Sequence, residues 1–273
     1  MTESALIPLA GAAIATVAAV RGTWSPCGQS MLSSINPLTE LGRGHRYART
    51  AGFFVAGALV GGALVGAVAA MLAAGVAAVD LSDRQRAALL ALAALSGAVV
   101  DAGHLRWRTP FLRRQVNEDW LAGFRPWVYG AGFGFQIGTG VMTYVMTTGV
   151  FVAVLAAVLS ASVRQAVLIM AVFGAVRGSA ILLSARVRCF EDLQRLHRRF
   201  EAWREPTRRL TIASLGVSGA LLTAAASGSA ALALPLAIGA VALALTARPA
   251  DVGTDPGASI RSASSRAATP ALS

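Results

Sequence analysis

The feature that most constrains the fold of this chain is an apolar segment at residues 51–79, AGFFVAGALVGGALVGAVAAMLAAGVAAV, which contains no charged side chain. A helix of about 20 apolar residues crosses the hydrocarbon core of a bilayer, and this segment is longer than that. Charged residues make up 14% of the chain, against about 25% in ordinary soluble domains. The sequence therefore predicts an all-α fold, a polytopic bundle of transmembrane helices whose main partner is the lipid bilayer.

Apolar segments recur along the chain and predict six transmembrane spans. The last segment is too long for one perpendicular helix at about 1.5 Å per residue, so a hinge in its middle, AAASGSAA, would create a seventh. We expect a transmembrane domain at residues 1–247, in halves of about 1–110 and 111–247. A disordered tail rich in Ser, Ala, Pro and Gly is expected at 248–273. The predicted spans are about 5–35, 51–79, 87–100, 127–159, 163–183 and 210–247.

The placement of arginine predicts the orientation in the membrane. All 24 basic residues are arginine; sixteen lie in loops after spans one, three and five, and three lie after spans two and four. Because cytoplasmic loops are enriched in Arg and Lys, we expect a multi-pass protein of a bacterial-type cytoplasmic (inner) membrane with its N-terminus outside. This placement also accounts for the net charge of +11 without any binding of nucleic acid.

The cysteines and the N-terminus exclude several kinds of site. Cys27 and Cys189 are the only cysteines, and no CxxC pair or Cys/His cluster is present, so the sequence predicts no metal site. No phosphate-binding loop, catalytic triad or haem-attachment motif occurs, and we expect no cofactor. The first span has no basic residue before Arg21, which favours a retained span over a cleaved signal peptide.

The first span is interrupted at Ser25-Pro26-Cys27. A proline inside a spanning helix frees a backbone carbonyl, which is tolerated where protein or water satisfies it, and broken helices form binding sites in transporters. We expect Pro26, Cys27, Gln29 and Ser30 to line a cavity inside the bundle, because so polar a surface is unfavourable against lipid. The alternative is that these small polar residues only serve helix packing.

This arrangement resembles the CcdA family, which is similar to the membrane part of DsbD. The resemblance rests on Ser25-Pro26-Cys27 and on the order of spans over about residues 5–225. It implies a 3+3 inverted repeat and thiol–disulfide electron transfer of the cytochrome c biogenesis type, with Cys27 as the catalytic thiol. It also implies a cytosolic thioredoxin-like reductant and an extracytoplasmic thiol acceptor. The family carries a second Pro-Cys in span four, where this chain reads GFQIG at residues 134–138.

Span four carries a polar stripe at helical spacing, formed by Gln136, Thr139, Thr143 and Thr147. If the halves pack as in CcdA, Gln136 faces Cys27 across the pseudo-twofold axis. Glycines in this span would allow a neighbouring helix to approach closely, and a Gly-x-x-x-Gly pair in span two matches one in span five. The alternative is that the threonines and glycines are packing residues only. The glycines are Gly130, Gly132, Gly134, Gly138 and Gly140, with pairs Gly57/Gly61 and Gly174/Gly178.

Arg177 is the charged residue that lies deepest in a predicted span. A mid-span arginine is unfavourable unless it reaches a partner, water or the membrane interface. An anionic substrate, the carboxylate of Asp101 or backbone carbonyls are candidate partners, and the alternative is that the side chain extends to the cytoplasmic surface. Arg21 has the same two alternatives. Asp101 and His104, one turn apart, form either a proton relay or part of an interfacial salt bridge.

A basic segment after span five carries apolar residues at helical spacing. This pattern predicts an amphipathic helix that lies on the membrane surface or extends a span. The stripe consists of Phe190, Leu193, Leu196, Phe200 and Trp203.

Two chemical functions are open at the level of sequence, beside a third alternative in which the chain is a scaffold for another membrane complex. One is thiol–disulfide electron transfer across the membrane with Cys27 as the exchanging thiol. The other is a transporter or exporter of a small solute or ion, without redox chemistry, whose polar path includes Gln136, Thr139, Thr143 and Arg177.

Overall fold

The computed structural model describes residues 3–79, 81–104 and 120–247, and in these ranges the chain is helical without strands. The predicted tail, the boundary between the halves near residue 110 and the arginines from 106 to 114 lie outside the described residues. Two short 3-10 helices accompany the α-helices, at Ala180–Ser184 and Ala230–Leu232. The α-helices are α1 (Glu3–Gly22), α2 (Pro26–Ser34), α3 (Pro37–Gly42), α4 (Tyr47–Ala78), α5 (Asp83–Asp101), α6 (Trp120–Gly123), α7 (Pro126–Thr139), α8 (Gly149–Leu159), α9 (Val163–Ser179), α10 (Phe190–Ser227) and α11 (Ala233–Leu245).

Among the described residues, four helical segments are long and apolar enough to cross a bilayer: Ala5–Gly22, Tyr47–Ala78, Val163–Ser184 and Phe190–Ser227. The helices α8 and α11 are apolar but shorter, and at about 1.5 Å per residue neither alone covers a hydrocarbon core of about 30 Å. The prediction of an all-helical membrane protein is confirmed. The number of six or seven spans stays a prediction.

The first span is broken at the predicted position. Helix α1 ends at Gly22, and Ser25 adopts an extended backbone whose side-chain Oγ accepts a hydrogen bond from the Gly28 amide at 3.2 Å. Pro26 takes the first helical position of α2, where its missing N–H has no intrahelical partner to lose. The Ser-Pro pair therefore ends one helix and starts another.

The fourth span is also broken, which the helical polar stripe did not predict. Helix α7 ends at Thr139, and Gly140 adopts φ +69°, a conformation that residues with a side chain rarely take. Helix α8 begins only at Gly149. Thr143 and Thr147 therefore lie on non-helical backbone, and the predicted continuation of the stripe beyond Thr139 is wrong.

Helix α4 lies between α7 and α9 and contacts both through their backbones. Glycines four residues apart form the contact on each side, because a β-carbon at any of these positions would overlap atoms of the facing helix. The close approach predicted from the glycines of span four is confirmed, with α4 as the neighbour. Gly57 and Gly61 lie against the backbone of Ala131 and Phe135 of α7, and Gly134 and Gly138 of α7 lie against the backbone of Phe54 and Ala58. Gly62 and Gly66 face α9, where Gly174 and Gly178 lie.

The last apolar segment forms a helical hairpin. Helix α10 ends at Ser227, and Gly228 terminates it in the left-handed conformation that favours glycine. After the 3-10 turn, α11 returns along α10, with Gly216 facing Ala240. The predicted hinge in AAASGSAA is therefore present. The basic segment from Phe190 onward is the first half of α10 itself, so it extends a helix that could span the membrane.

Candidate functional site

Cys27 lies in the interior of the bundle on the apolar face of α2. Cys27 and Met31 are each 1% exposed, and both belong to a buried cluster with Phe54 of α4 and with Tyr129 and Phe133 of α7. These positions follow the helical repeat of α2, in which residues four apart share a face. The sulfur is thus shielded from lipid.

The polar face of α2 points away from the buried cluster around Cys27. Pro26 is exposed, and Gln29 and Ser30 are only half-buried. On the same side, Ser33 Oγ lies 3.0 Å from His197 Nε2 of α10. Pro26, Gln29 and Ser30 thus lie apart from the buried side of α2, because the helix turns its apolar side toward the core and Ser33 toward the basic half of α10. That these three residues line a cavity stays a prediction.

Arg177 of α9 is buried beside the break in the first span, with 3% of its surface exposed. Its Nη2 donates a hydrogen bond to Ser25 Oγ at 3.2 Å, while Nε and Nη1 have no hydrogen-bond partner among the described residues. A β-carbon on Gly22 would overlap the guanidinium, so only glycine leaves room for it there. Cys27 follows Ser25 by two residues, and the next residue, Gly28, lies with Arg177 in the wall of one small cavity. The alternative that Arg177 reaches the surface is wrong.

A cavity of about 10 Å³ adjoins the guanidinium. This is about the smallest volume that holds one water molecule, so the site is closed to larger molecules in this conformation. The polar side chains in its wall are those of Thr23 and Arg177. The complete lining is Thr23, Gly28, Met31, Leu32, Phe54, Ile137, Arg177, Ala180 and Ile181.

The polar residues of span four do not converge on Cys27. Gln136 is half-buried, and its neighbour Ile137 instead lies in the cavity wall. Thr139 Oγ1 donates to the carbonyl of Gln136 at 2.7 Å. Thr143 is 1% exposed, and its Oγ1 has no hydrogen-bond partner among the described residues. The structure places Ile137 at the cavity, one helical position beyond Gln136, and that Gln136 faces Cys27 stays a prediction.

Asp101 holds the broken segment of span four. One carboxylate oxygen accepts a hydrogen bond from Thr147 Oγ1 at 2.5 Å, and the other accepts one from the Thr148 amide at 3.0 Å. Arg208 of α10 donates to the Asp101 carbonyl at 2.9 Å. Asp101 thus caps the chain that leads into α8. Neither predicted role of Asp101, the proton relay or the interfacial salt bridge, included this contact.

Arg21 joins the end of α1 to α10. It is 4% exposed, and its Nη1 donates to the Arg204 carbonyl at 2.9 Å and to Thr207 Oγ1 at 3.4 Å. Of the alternatives considered from sequence, partnership with a backbone carbonyl is the one found. The neighbouring Trp24 also binds α10, through Nε1 to the Phe200 carbonyl at 2.7 Å.

Sequence reasoning missed Glu40, a fully buried carboxylate at 0% exposure. It accepts hydrogen bonds from Thr50 Oγ1 at 2.5 Å and from the Tyr129 hydroxyl at 2.8 Å, and Arg43 Nη1 lies 3.1 Å away. Glu40 therefore ties α3 to α4 and α7. The available signal was local: Asn36 starts α3 with a capping box, which places Glu40 in the first turn.

Several known proteins are similar to this chain, whereas no family model and no solved structure matches it. The methylamine utilization protein MauF of Paracoccus denitrificans is 32% identical over 233 residues, which cover 81% of this chain and 78% of that protein. MauF of Methylophilus methylotrophus is 30% identical over 170 residues, 60% of this chain and 58% of that protein. MauF of Methylorubrum extorquens is 30% identical over 183 residues, 64% of this chain and 62% of that protein. The chain thus spans about three fifths of the length of the last two relatives. These relatives carry the name MauF and not CcdA, and no family model matches the chain. The resemblance to CcdA therefore stays a prediction.

Proposed function

The chain belongs to the family of the methylamine utilization protein MauF, and from this membership we propose that it serves methylamine utilization from within the membrane by thiol–disulfide exchange at Cys27. The observation that carries the proposal is the burial of Cys27 two residues after Ser25, whose Oγ accepts a hydrogen bond from the guanidinium of Arg177. Two nitrogens of that guanidinium have no partner among the described residues. A thiolate, rather than a thiol, attacks a disulfide. A neighbouring cation is the counter-charge that a buried thiolate requires.

The exchange needs sulfur from partner proteins, because the chain has only two cysteines and no disulfide joins them. The Cys27 thiolate attacks a disulfide of an extracytoplasmic partner, a new S–S bond joins Cys27 to that partner, and the other partner sulfur leaves as a thiolate. A thiolate of a thioredoxin-like dithiol then attacks the Cys27 sulfur, a new S–S bond joins Cys27 to the dithiol protein, and the partner leaves as a thiolate with both of its sulfurs reduced. The second thiol of the dithiol attacks the dithiol sulfur bound to Cys27, so the dithiol protein is released as a disulfide and Cys27 leaves as a thiolate.

The architecture supports the 3+3 inverted repeat that the resemblance to CcdA implies. The first span and the span three positions later are both broken, at residues 23–25 and 140–148. Helix α4 packs on α9, and α5 packs on α10, so the second and third spans of each half meet their counterparts. We extend the proposal to six spans in the inner membrane, with an outside N-terminus that follows the arginine distribution.

Methylamine itself is a poor cargo for this site. Primary amines are protonated at neutral pH, and a buried guanidinium repels a second cation in a medium of low dielectric constant. No acidic residue is among the described residues that line the cavity. The proposed role is therefore one that supports methylamine utilization without carrying the amine.

The test compares Cys27→Ser with Cys189→Ser in a methylamine-utilising strain from which the chain has been deleted. Cys27→Ser is expected to abolish growth on methylamine at an unchanged level of membrane-inserted protein, whereas the exposed Cys189→Ser is expected to retain it. Acid quenching and alkylation in the Cys189→Ser background should show part of Cys27 blocked until a reductant is added. Full growth of the Cys27→Ser strain would rule out thiol chemistry.

A second function is favoured by one observation. Besides Arg177 Nε and Nη1, the buried Thr143 Oγ1 has no hydrogen-bond partner among the described residues, and such groups are suited to hydrogen bonding a passing solute. The alternative is transport of a small anion between the two broken spans. Arg177→Gln would then abolish activity, Arg177→Lys would retain part of it, and Cys27→Ser would leave it intact.

A further inference from the structure

A groove of about 720 Å³ lies between the end of the fifth span and the basic half of α10. One side is formed by the 3-10 turn Ala180–Ser184 and the residues up to Val187, and the other by Leu196, Phe200 and Trp203 of α10. The rings of Trp24 and Phe200 stack at its base with centroids 4.9 Å apart. The groove is separate from the small cavity beside Arg177.

Three arginines and one carboxylate line this groove. Asp192 binds Arg195, with 2.6 Å between Oδ1 and Nη2. Arg186 and Arg199 are exposed, and within the described ranges neither forms an ion pair. The groove therefore carries a net positive charge, which an anion would neutralise.

Large apolar side chains are exposed beside these arginines. Leu182 and Leu183 are each 53% exposed, and Trp203 is 62% exposed. An exposed apolar surface next to unpaired arginines fits a ligand that is itself amphipathic, with an anionic head and an apolar chain.

The position of the groove identifies the source of such a ligand. Leu182 and Leu183 are near the end of the apolar segment Val163–Ser184, and Arg186 follows two residues later. On the opposite side, α10 becomes apolar after Arg209. The α9 wall thus changes from apolar to basic at the groove, and α10 makes the same change about two turns beyond Trp203, as expected near the level where acyl chains give way to headgroups.

We propose that this groove binds one anionic phospholipid. Its phosphate lies between Arg186 and Arg199, and one acyl chain follows Leu182, Leu183 and the ring of Trp203. A lipid that bridges α9 and α10 in this way would hold the basic half of α10 against the bundle next to α2.

The test measures binding of phosphatidylglycerol and phosphatidylcholine to the purified full chain in detergent, from the shift in thermal unfolding. Phosphatidylglycerol is expected to bind on the order of tenfold more tightly than phosphatidylcholine, and R186Q/R199Q is expected to remove that preference. The matched control is R46Q/R49Q, which changes the same charge at two exposed arginines outside the groove and should keep it. Free glycerol phosphate should produce no shift.

A second measurement does not depend on stability. Phosphatidylglycerol with brominated acyl chains should quench the fluorescence of the parent protein more than that of Trp203→Phe, and R186Q/R199Q should reduce this quenching. Equal loss of preference in both double variants, or a shift with glycerol phosphate as large as with the lipid, would overturn the proposal. So would quenching that is the same with and without Trp203.

Discussion

The guanidinium of Arg177 occupies the space that a β-carbon on Gly22 would need. A residue of α9 is thereby fitted to the last residue of α1, at the point where the first span breaks. The contact explains why a long cationic side chain stays inside the bundle, and it makes the break, the cation and the thiol one unit.

Gly22→Ala should displace the guanidinium and destabilise the protein. Overpacking of a tight interior typically costs about 1–3 kcal/mol, which chemical denaturation of the detergent-solubilised chain would measure. Gly52→Ala is the matched control, because Gly52 lies in α4 with no atom near its added β-carbon. Equal stability of the two variants would show that Arg177 moves aside without cost.

Arg177→Met should make the protein more stable and inactive. The guanidinium has one hydrogen bond, to Ser25, and no ion pair with an acidic residue in the described ranges. Replacing a buried charge with an apolar side chain of similar length can stabilise a protein by about 1–4 kcal/mol. A rise in the unfolding temperature together with loss of growth on methylamine is expected. A large fall in stability would assign Arg177 a structural role instead.

Arg177→Gln should slow the alkylation of Cys27 by a small membrane-permeant reagent. The thiolate is the reactive form, and without the cation it loses its counter-charge, so a decrease on the order of tenfold is expected. Arg177→Lys keeps the charge and should react at an intermediate rate. These rates are measured in the Cys189→Ser background, and a rate unchanged in Arg177→Gln would argue against charge assistance.

Asp101→Ala should destabilise the entry to α8. Two donors lose their acceptor, Thr147 Oγ1 and the Thr148 amide, and an unsatisfied buried donor costs about 1–3 kcal/mol. Asp101→Asn keeps one acceptor and should lose less. His104→Ala, at an exposed position, should change neither stability nor activity. A loss of activity in His104→Ala at full stability would restore the proton relay.

Glu40→Ala should be among the most damaging single changes at a position outside the proposed site. Thr50, Tyr129 and Arg43 would all lose the carboxylate that they contact, and removal of one member of a buried charged group costs about 3–5 kcal/mol. Tyr129→Phe removes one donor only and should cost about 1 kcal/mol. Similar losses in both variants would mean that the Tyr129 hydroxyl dominates the cluster.

The first break was predictable because its cause is local. Pro26 and the capping Ser25 are adjacent in sequence, and either alone weakens a helix. The break in span four contains no proline, and the carboxylate that caps it, Asp101, lies 46 positions before Thr147. A contact of that kind depends on how α5 packs, so periodicity along span four could not reveal it.

The sequence identified Cys27 and Arg177 but not the surroundings of either. Which face of α2 is buried depends on the helices that pack against it. In the structure the buried face is the one that carries the apolar residues Met31 and Leu32. The rotation of α7 is set by Gly134 and Gly138 against α4, which brings Ile137 rather than Gln136 to the cavity. A shift of one residue along a helix turns a side chain by about 100°, enough to remove it from a site.

Helix α4 touches α7 and α9 through bare backbone, at glycines that repeat every four residues. A displacement of α4 along its axis by less than that repeat, about 6 Å, would take these glycines out of contact with the facing backbone of α7 and α9. The close backbone contacts therefore fix the axial position of α4 relative to α7 and α9. Access of a partner to the sulfur would then require movement of α2 and its short link to α1, which contact α10 through the side chains of Arg21, Trp24 and Ser33.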